Sequence, residues 1–283
     1  AHMVNLSQRE EDSEIIVGDQ WLLMAFPNHP YSHPSRGRTV TASTLTSDDL
    51  REFVRTRFTR DRLIVGAVGD VPPEEIARLV DLALAALPAT GPSFEVPDVE
   101  LAMEDRIEIL RLPTQQAQVL MGARGIARED PDYYAASLLN TVLGGASFLS
   151  RIWKEAREER GLVYAIGTYN TPLEHAAYYM ASFSTANENV TEAIDVVRTA
   201  VERVVRDGLT EEELANAKTY SIGSFALRLN RSTRIANTLV GMQFSGLPID
   251  YLDTRSDLIN AVTLDHVDRV ARRMFLGDED ADP

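Results

Sequence analysis

The chain has 283 residues, of which 44% are hydrophobic and 25% are charged, a composition typical of a globular protein of about two domains. Its formal net charge is -15 and Lys and Arg do not cluster, which argues against nucleic-acid binding driven by phosphate contacts. No apolar run reaches membrane-spanning length, and the lack of Cys excludes disulfides and thiolate metal sites. We therefore expect neither a nucleic-acid partner nor a membrane span.

The first ninety residues predict a strand and a helix. Residues 62–68 (RLIVGAV) form a continuous apolar run, which is typical of a buried strand. A turn follows, and residues 72–75 (PPEE) then open a helix with one apolar stripe. Residues 87–99 (LPATGPSFEVPDV) contain three prolines and little periodicity, which indicates a linker.

The rest of the chain mixes strands and helices without the regular alternation of a nucleotide-binding fold. We therefore predict an α+β fold, an antiparallel sheet with helices on one face. The predicted elements are strands at 106–112 and 116–122, a helix at 130–143 ended by Gly144 and Gly145, a second helix ended by Gly161, strands at 162–169 and 177–184 that pair antiparallel, a helix at 190–205 and a helix that begins with a capping box at Thr210.

Two blocks of sequence recur in the same order. Residues 22–30 (LLMAFPNHP) resemble residues 240–248 (VGMQFSGLP) at an offset of 218, and residues 45–58 (LTSDDLREFVRTRF) resemble residues 262–275 (VTLDHVDRVARRMF) at an offset of 217. Coincidence is the alternative, but two ordered blocks at nearly one offset favour an internal duplication.

The duplication predicts how the chain is divided. The second copy begins near Arg106, so the first copy would begin roughly 110 residues before residue 1. The closing strand of the second copy would begin near residue 280, where the chain stops. We therefore expect a fragment with three parts: the end of a first α+β domain at residues 1–90, a linker at 91–105, and a second α+β domain at 106–283 without its last strand.

Residues 140–169 (NTVLGGASFLSRIWKEAREERGLVYAIGTY) resemble a signature of the pitrilysin/insulinase family of zinc peptidases, N-x-x-LGG…SR…R-E…G-L-x-Y. Residues 26–37 and 62–70 resemble the end of the first domain in that family. The likeness runs from about Asp19 to Phe275. It implies a tandem duplication of α+β domains that forms half of a clamshell-shaped metallopeptidase.

The resemblance also implies that activity requires zinc, held by an inverted His-x-x-Glu-His motif and a distant Glu. None of the five His residues has that spacing. His29 and His33 are four residues apart, but each precedes a proline, which disfavours a shared helical face. We interpret them as part of a Pro-rich turn rather than as metal ligands. We expect no metal or cofactor in this chain, and zinc in a missing half or a partner subunit.

In the family, an Arg and a Tyr of the second domain hold the substrate and polarise the scissile carbonyl, and the resemblance assigns these roles to Arg157 and Tyr164. A guanidinium and a phenol are strong donors for the oxyanion of a tetrahedral intermediate. Two structural explanations remain open: the helix dipole favours a cation at Arg157, and Tyr164 could pack in a core. Arg151 and Arg160 are predicted to be structural or solvated.

The sequence therefore predicts an inactive, zinc-less portion of such a peptidase. It would bind a peptide or an unfolded protein, with a preference for basic peptides because of its charge. It would supply Arg157 and Tyr164 to a zinc-bearing half, a family subunit or another copy of itself. The alternative is a non-enzymatic assembly subunit of the same family. A bacterial periplasm or cytoplasm would suit either role.

Overall fold

One three-stranded antiparallel sheet organises the computed structural model, which describes residues 2–102 and 106–277. The strands are β1 (Gln116–Arg124), β2 (Val163–Pro172) and β3 (Ala177–Ala186). Their order is β1-β3-β2, so β3 is central and pairs antiparallel with both neighbours. The α+β fold class and the predicted pairing of residues 162–169 with 177–184 are confirmed.

Helices make up most of the remaining structure. Two π-helical turns, Thr141–Gly145 and Lys154–Glu159, continue α6 and α7. The α-helices are α1 (His2–Glu10), α2 (Ser13–Ala25), α3 (Thr39–Ala42), α4 (Ser47–Arg57), α5 (Pro73–Leu84), α6 (Tyr133–Asn140), α7 (Arg151–Trp153), α8 (Val190–Asp207), α9 (Glu211–Arg228), α10 (Ser232–Phe244), α11 (Tyr251–Asn260) and α12 (Leu264–Phe275).

The chain forms two compact units. The sheet unit takes in the chain up to Arg38, from Pro97 to Ile222, and from Ser256 onwards. The second unit consists of residues 39–96 and 223–255. The division into residues 1–90, 91–105 and 106–283 rests on the sequence repeat and stays a prediction.

The hydrophobic core lies in the sheet unit, on one face of the sheet. Alternate residues of β3 point into it, among them Tyr179, Ala181 and Phe183, and each of these is 3% exposed. Helices α6, α8 and α12 contribute the opposing side chains. This alternation is what a half-buried strand requires, because successive side chains point to opposite faces.

A helix also packs on the opposite face of the sheet, which the sequence analysis did not predict. α2 contacts β1 there, and the Trp21 indole lies directly over Gly122. A Cβ atom at Gly122 would lie 2.6 Å from Cζ2 of Trp21, so only glycine permits this contact. The prediction that helices cover one face alone is therefore wrong for β1.

Two predicted strands are also wrong. Residues 63–68 are irregular, and the side chains of Leu63 and Val65 are 37% and 46% exposed. Residues 106–112 are irregular too, and Ile107 is 76% exposed. A strand forms only where a neighbouring strand accepts its backbone hydrogen bonds, and neither segment has such a neighbour in the part of the chain that the structure describes.

Other local predictions are confirmed. α5 forms at residues 73–84, although none of its residues is buried. Gly161 has a φ of 63°, the left-handed conformation expected where a helix stops. The Thr210 hydroxyl accepts a hydrogen bond from the Glu213 N–H at 3.2 Å, and the Glu213 carboxylate accepts one from the Thr210 N–H at 2.9 Å, which completes the capping box.

The closing strand expected near residue 280 lies outside the described residues. Across residues 2–102 and 106–277, no helix combines the length and the apolar character needed to cross a lipid bilayer.

A charged network joins α12 to the start of α6. Arg273 donates to Asp132 at 2.7 Å and to Asp130 at 2.8 Å, and Arg269 also donates to Asp132, which is 5% exposed. Burial alone would raise the pKa of both carboxyls. The arginine hydrogen bonds outweigh burial and hold both pKa values below the usual 3.8.

Acid should therefore destabilise the sheet unit. Because the folded-state pKa values of Asp130 and Asp132 are lowered, their stabilisation is fully present above pH 3.8 and is lost as the pH falls through the folded values. In urea unfolding measured from pH 7 to pH 3, the free energy of unfolding should fall below about pH 4. Arg273→Gln should cost about 3 kcal/mol at pH 7 and flatten that fall, because Asp132 loses a charged partner. If the free energy of unfolding of Arg273→Gln fell as steeply with acid as that of the parent, the fall would not come from Asp130 and Asp132.

Candidate functional site

A π-helical turn determines where Arg157 lies. The turn Lys154–Glu159 follows α7. Ile152 of α7 and Ala156 of the turn are both 0% exposed and pack in the core. The helical conformation ends before Gly161, and the chain then enters β2. The Leu162 N–H donates a hydrogen bond to the Ala156 carbonyl at 2.8 Å. Arg157 is therefore held at the junction of helix and strand. π-Helical turns occur often at functional sites.

A β-bulge exposes Tyr164. Val163 pairs with Thr185 and Ile166 pairs with Phe183, so the two residues between Val163 and Ile166 face only one residue of β3. Val163 and Ile166 are buried at 2% and 4% exposure, whereas Tyr164 is 77% exposed. The Tyr164 phenol is therefore not packed in the core. Core packing was the structural explanation that the sequence had left open for this residue.

The structure brings the two candidate residues together. The Arg157 guanidinium carbon lies 4.8 Å from the centroid of the Tyr164 ring, within the range of a cation–π contact. The Arg157 Nη1 donates to the Val163 carbonyl at 3.2 Å, which fixes the guanidinium beside the strand. The result is a positive charge beside an exposed phenol at the surface. The catalytic role of the pair stays a prediction.

The other residues of the signature have structural roles. The Thr168 hydroxyl of β2, which is 0% exposed, donates to the Asn140 Oδ1 at 2.7 Å. A Cβ atom at Gly144 would lie 2.6 Å from the Thr168 side chain, and one at Gly145 would lie 2.4 Å from the Asn140 amide nitrogen. The two glycines were predicted to end a helix, and they are the last two residues of the π-helical turn that continues α6. Gly144 lets this turn approach β2 and Gly145 lets it pack against Asn140, two roles that were not predicted from the sequence.

The neighbouring Arg151 and Arg160, which were predicted to be structural or solvated, are both bound by carboxylates. Arg151 donates to both carboxylate oxygens of Glu213 at 2.6 Å. Burial alone would raise the pKa of Glu213, but the bonds from Arg151 and Thr210 hold it below its usual value. Arg160 is paired with Glu155 at 2.6 Å and with Glu192 at 3.2 Å.

The histidines of the Pro-rich segment are arranged as a turn. His29 is 5% exposed; its Nδ1 accepts from the Tyr31 N–H at 3.2 Å, so its Nε2 donates to the Pro97 carbonyl at 3.0 Å. Both ring nitrogens are therefore engaged, and His33 is exposed. In the described residues, no three His, Asp or Glu side chains are grouped so as to hold a metal ion. These residues do not fit the zinc site that the family resemblance implies for an active peptidase.

Gly144→Ala should destabilise the protein by about 2 kcal/mol, because the new methyl group would force Thr168 or the π-helical turn to move. Gly18→Ala in α2 is the matched control, since nothing lies within 4 Å of its added methyl group. That change should be neutral or should stabilise by up to about 1 kcal/mol. Chemical denaturation of both variants measures the difference. Equal effects of the two substitutions would contradict the close approach of the turn to β2.

Comparison with known proteins identifies the family. The family model described as Peptidase M16 inactive domain matches residues 44–221, which is more than half of the chain. The chain is 27% identical over 278 residues to an uncharacterized zinc protease of Streptomyces coelicolor. It is 25% identical over 263 residues to a Helicobacter pylori protein named non-peptidase homolog YmxG. It is 23% identical over 293 residues to the beta subunit of the mitochondrial-processing peptidase of Lentinula edodes.

The chain is shorter than these relatives. The matches cover 96%, 93% and 96% of this chain, but 60%, 60% and 61% of the Streptomyces, Helicobacter and Lentinula proteins. The chain therefore spans about three fifths of the length of each of them.

Solved structures share the fold. A peptidase M16 inactive domain from Pseudomonas fluorescens superposes with a TM-score of 0.82 at 24% identity, covering 96% of this chain and 64% of that one. A chain of Complex III2 from Candida albicans superposes with a TM-score of 0.78 at 17% identity, covering 96% and 66%. The signature around Arg157 and Tyr164, the α+β fold and the family match agree: the chain belongs to the Peptidase M16 inactive domain family.

Proposed function

We propose that this chain is a zinc-less portion of an M16-type peptidase that binds a peptide or an unfolded protein and supplies Arg157 and Tyr164 to a zinc site held by another half or subunit. The observation that carries the proposal is the contact between the Arg157 guanidinium and the exposed Tyr164 ring. Arg157 lies in a π-helical turn and Tyr164 in β2, so both donors belong to regular elements, which suits a preorganised site.

The chemistry of the pair suits peptide hydrolysis. Attack of water on a peptide carbonyl produces a tetrahedral intermediate with a negatively charged oxygen. A guanidinium has five N–H donors, so one bond to the Val163 carbonyl orients Arg157 and leaves further donors for a substrate. The phenol of Tyr164 adds an O–H donor. Both groups would stabilise the charge that develops on the scissile carbonyl.

The metal would come from elsewhere in the assembly. Zinc, when bound there, supplies an activated water and polarises the carbonyl. The contribution of this chain would be to bind and orient the peptide and to stabilise the oxyanion. Its strongly acidic charge would favour basic peptides.

A tandem duplication is part of the proposal, and local structure supports it. Thr46 and Thr263 occupy equivalent positions in the repeat, and both begin a helix with a capping box, α4 and α12. The other repeated block ends a helix in each copy, α2 and α10. Equivalent sequence blocks thus mark equivalent helix ends, as expected for two copies of one ancestral domain.

The second candidate is a non-enzymatic assembly subunit. The name of the Helicobacter relative and the structural likeness to a chain of Complex III2 favour it. In that case the contact between Arg157 and Tyr164 would be surface packing without a catalytic role.

Peptide cleavage by the chain mixed with a zinc-bearing family subunit separates the two candidates. Arg157→Ala should lower kcat/KM by about 100-fold or more, because an oxyanion donor is lost. Tyr164→Phe should lower it by roughly tenfold or more, since it removes one O–H donor from the same oxyanion. Arg160→Ala is the matched control, and it should leave kcat/KM within about twofold, because this arginine is bound by Glu155 and Glu192.

The same variants should remain folded. Tyr164 is 77% exposed, so Tyr164→Phe should change the free energy of unfolding by less than about 0.5 kcal/mol. Turnover that is indifferent to both Arg157→Ala and Tyr164→Phe would contradict the proposal and favour the assembly subunit.

A further inference from the structure

Lysine is rare in this chain, and one of its two lysines is held only loosely. Of the 28 basic residues, Lys154 and Lys218 are lysines and the others are arginines. The Lys218 ammonium donates to the Asn260 carbonyl at 3.0 Å and to the Val262 carbonyl at 2.6 Å, so it satisfies carbonyls at the end of α11. The Lys154 ammonium instead lies 4.0 Å from the Glu159 carboxylate, beyond hydrogen-bond distance.

A lysine at position 154 offers chemistry that an arginine does not. An arginine could form the same ion pair with Glu159, but a guanidinium does not lose its proton in proteins. A lysine ammonium can lose one, and the amine that results is a nucleophile. The Lys154 side chain is 67% exposed, so a reagent in solution can reach its nitrogen. These properties are those of a modification site.

Lys154 lies at an open cleft between the π-helical turn Lys154–Glu159 and α8. The cleft has a volume of about 310 Å³, and the guanidiniums of Arg151 and Arg203 line it together with Lys154. Arg203 donates from Nη1 to Glu155 at 3.3 Å, and because a guanidinium has five N–H donors, others remain for a ligand. A cleft of this size suits a small anionic molecule.

Most carboxylates in the cleft are already bound by arginines outside its lining. Glu155 accepts a hydrogen bond from Arg160 at 2.6 Å, and Asp207 is paired with Arg206 at 2.7 Å. Glu159 is 56% exposed, so water and salt screen its charge. An anion that enters the cleft therefore meets guanidinium donors with little opposing charge.

We propose that Lys154 is acylated by a small acyl phosphate whose phosphate group is bound by Arg151 and Arg203. Guanidiniums bind phosphate through paired, charge-assisted hydrogen bonds, and they would place the acyl carbon beside the Lys154 nitrogen. The proposed acylation is independent of any catalytic role of Arg157, although both residues lie in the same turn.

The reaction is an acyl transfer. The Lys154 ammonium first loses a proton to water, and the free amine attacks the acyl carbon. A C–N bond forms while the C–O bond to phosphate breaks, and the phosphate leaves with the electron pair of that bond. The new amide nitrogen loses its second proton to water, and the phosphate takes up one. Acylation removes the positive charge of Lys154 and so ends its ion pair with Glu159.

Two acetylating reagents test the proposal on the full chain, with peptide mass spectrometry at both lysines. Acetyl phosphate carries the phosphate group, whereas the N-hydroxysuccinimide ester of acetic acid lacks it and reports exposure alone. The ratio of acetylation at Lys154 to that at Lys218 should be about fivefold or more higher with acetyl phosphate. Excess inorganic phosphate should return this ratio to the value found with the ester, because it occupies the same guanidiniums.

A matched pair of variants on α8 tests the role of the guanidiniums. Arg203→Gln should slow acetylation of Lys154 by acetyl phosphate about fivefold or more, and should leave the reaction with the ester within about twofold. Arg198→Gln is the control, because Arg198 is exposed and lies five residues earlier, on a different side of the helix. It should leave both reactions within about twofold of the parent.

An equal ratio with the two reagents would overturn the proposal, since exposure alone would then explain the reactivity of Lys154. A reaction with acetyl phosphate that is as fast in Arg203→Gln as in Arg198→Gln would also overturn it. Slowing of both reagents in Arg203→Gln would show a disturbed turn rather than a phosphate site, and would count against the proposal too. None of these outcomes depends on peptide cleavage.

Discussion

The burial of both Val163 and Ile166 determines the local structure on which the candidate site depends. Residues three apart in a regular strand point to opposite faces of the sheet, yet these two are both in the core. The strand satisfies this only by inserting an extra residue as a bulge. The bulge leaves Tyr164 outside the regular pairing and next to the carbonyl that accepts a hydrogen bond from Arg157. The position of the exposed phenol therefore follows from packing in the core.

A second contact holds β2 in place further along the strand, at Thr168. The Thr168 hydroxyl of β2 donates a hydrogen bond to Asn140, and Gly144 lets the π-helical turn Thr141–Gly145 approach the strand. Two π-helical turns thus contact β2, one containing Gly144 and one containing Arg157. Within the signature, Asn140, Gly144 and Gly145 hold this geometry. Arg157 is half-buried and Tyr164 is exposed.

Much of the sheet unit was predictable from sequence because its signals are local. The pairing of β2 with β3, the helix stop at Gly161 and the capping box at Thr210 depend on residues close in sequence. The second unit was predicted less well. The apolar run at residues 63–68 has the composition of a strand, but a strand also needs a partner, and composition carries no information about whether the partner is present.

The approach of α2 to β1 was missed for a related reason. The contact depends on Trp21 and Gly122, which are a hundred residues apart in sequence, and no periodicity connects them. The bulge at Tyr164 was also not predicted, although the signal was available: Val163 and Ile166 are both apolar, at an odd separation within a strand. For the candidate site, the family signature supplied Arg157 and Tyr164, and the structure added their contact and the exposure of the phenol.

Arg157 and Tyr164 are proposed to converge on the oxygen of a scissile carbonyl in an assembly that carries zinc. The most direct measurement is a crystal structure of this chain with a zinc-bearing family subunit and a phosphinic peptide, whose phosphinyl oxygens stand in for the oxyanion. One phosphinyl oxygen should lie about 3 Å from both an Arg157 nitrogen and the Tyr164 hydroxyl. A bound phosphinic peptide that neither side chain contacts would contradict it.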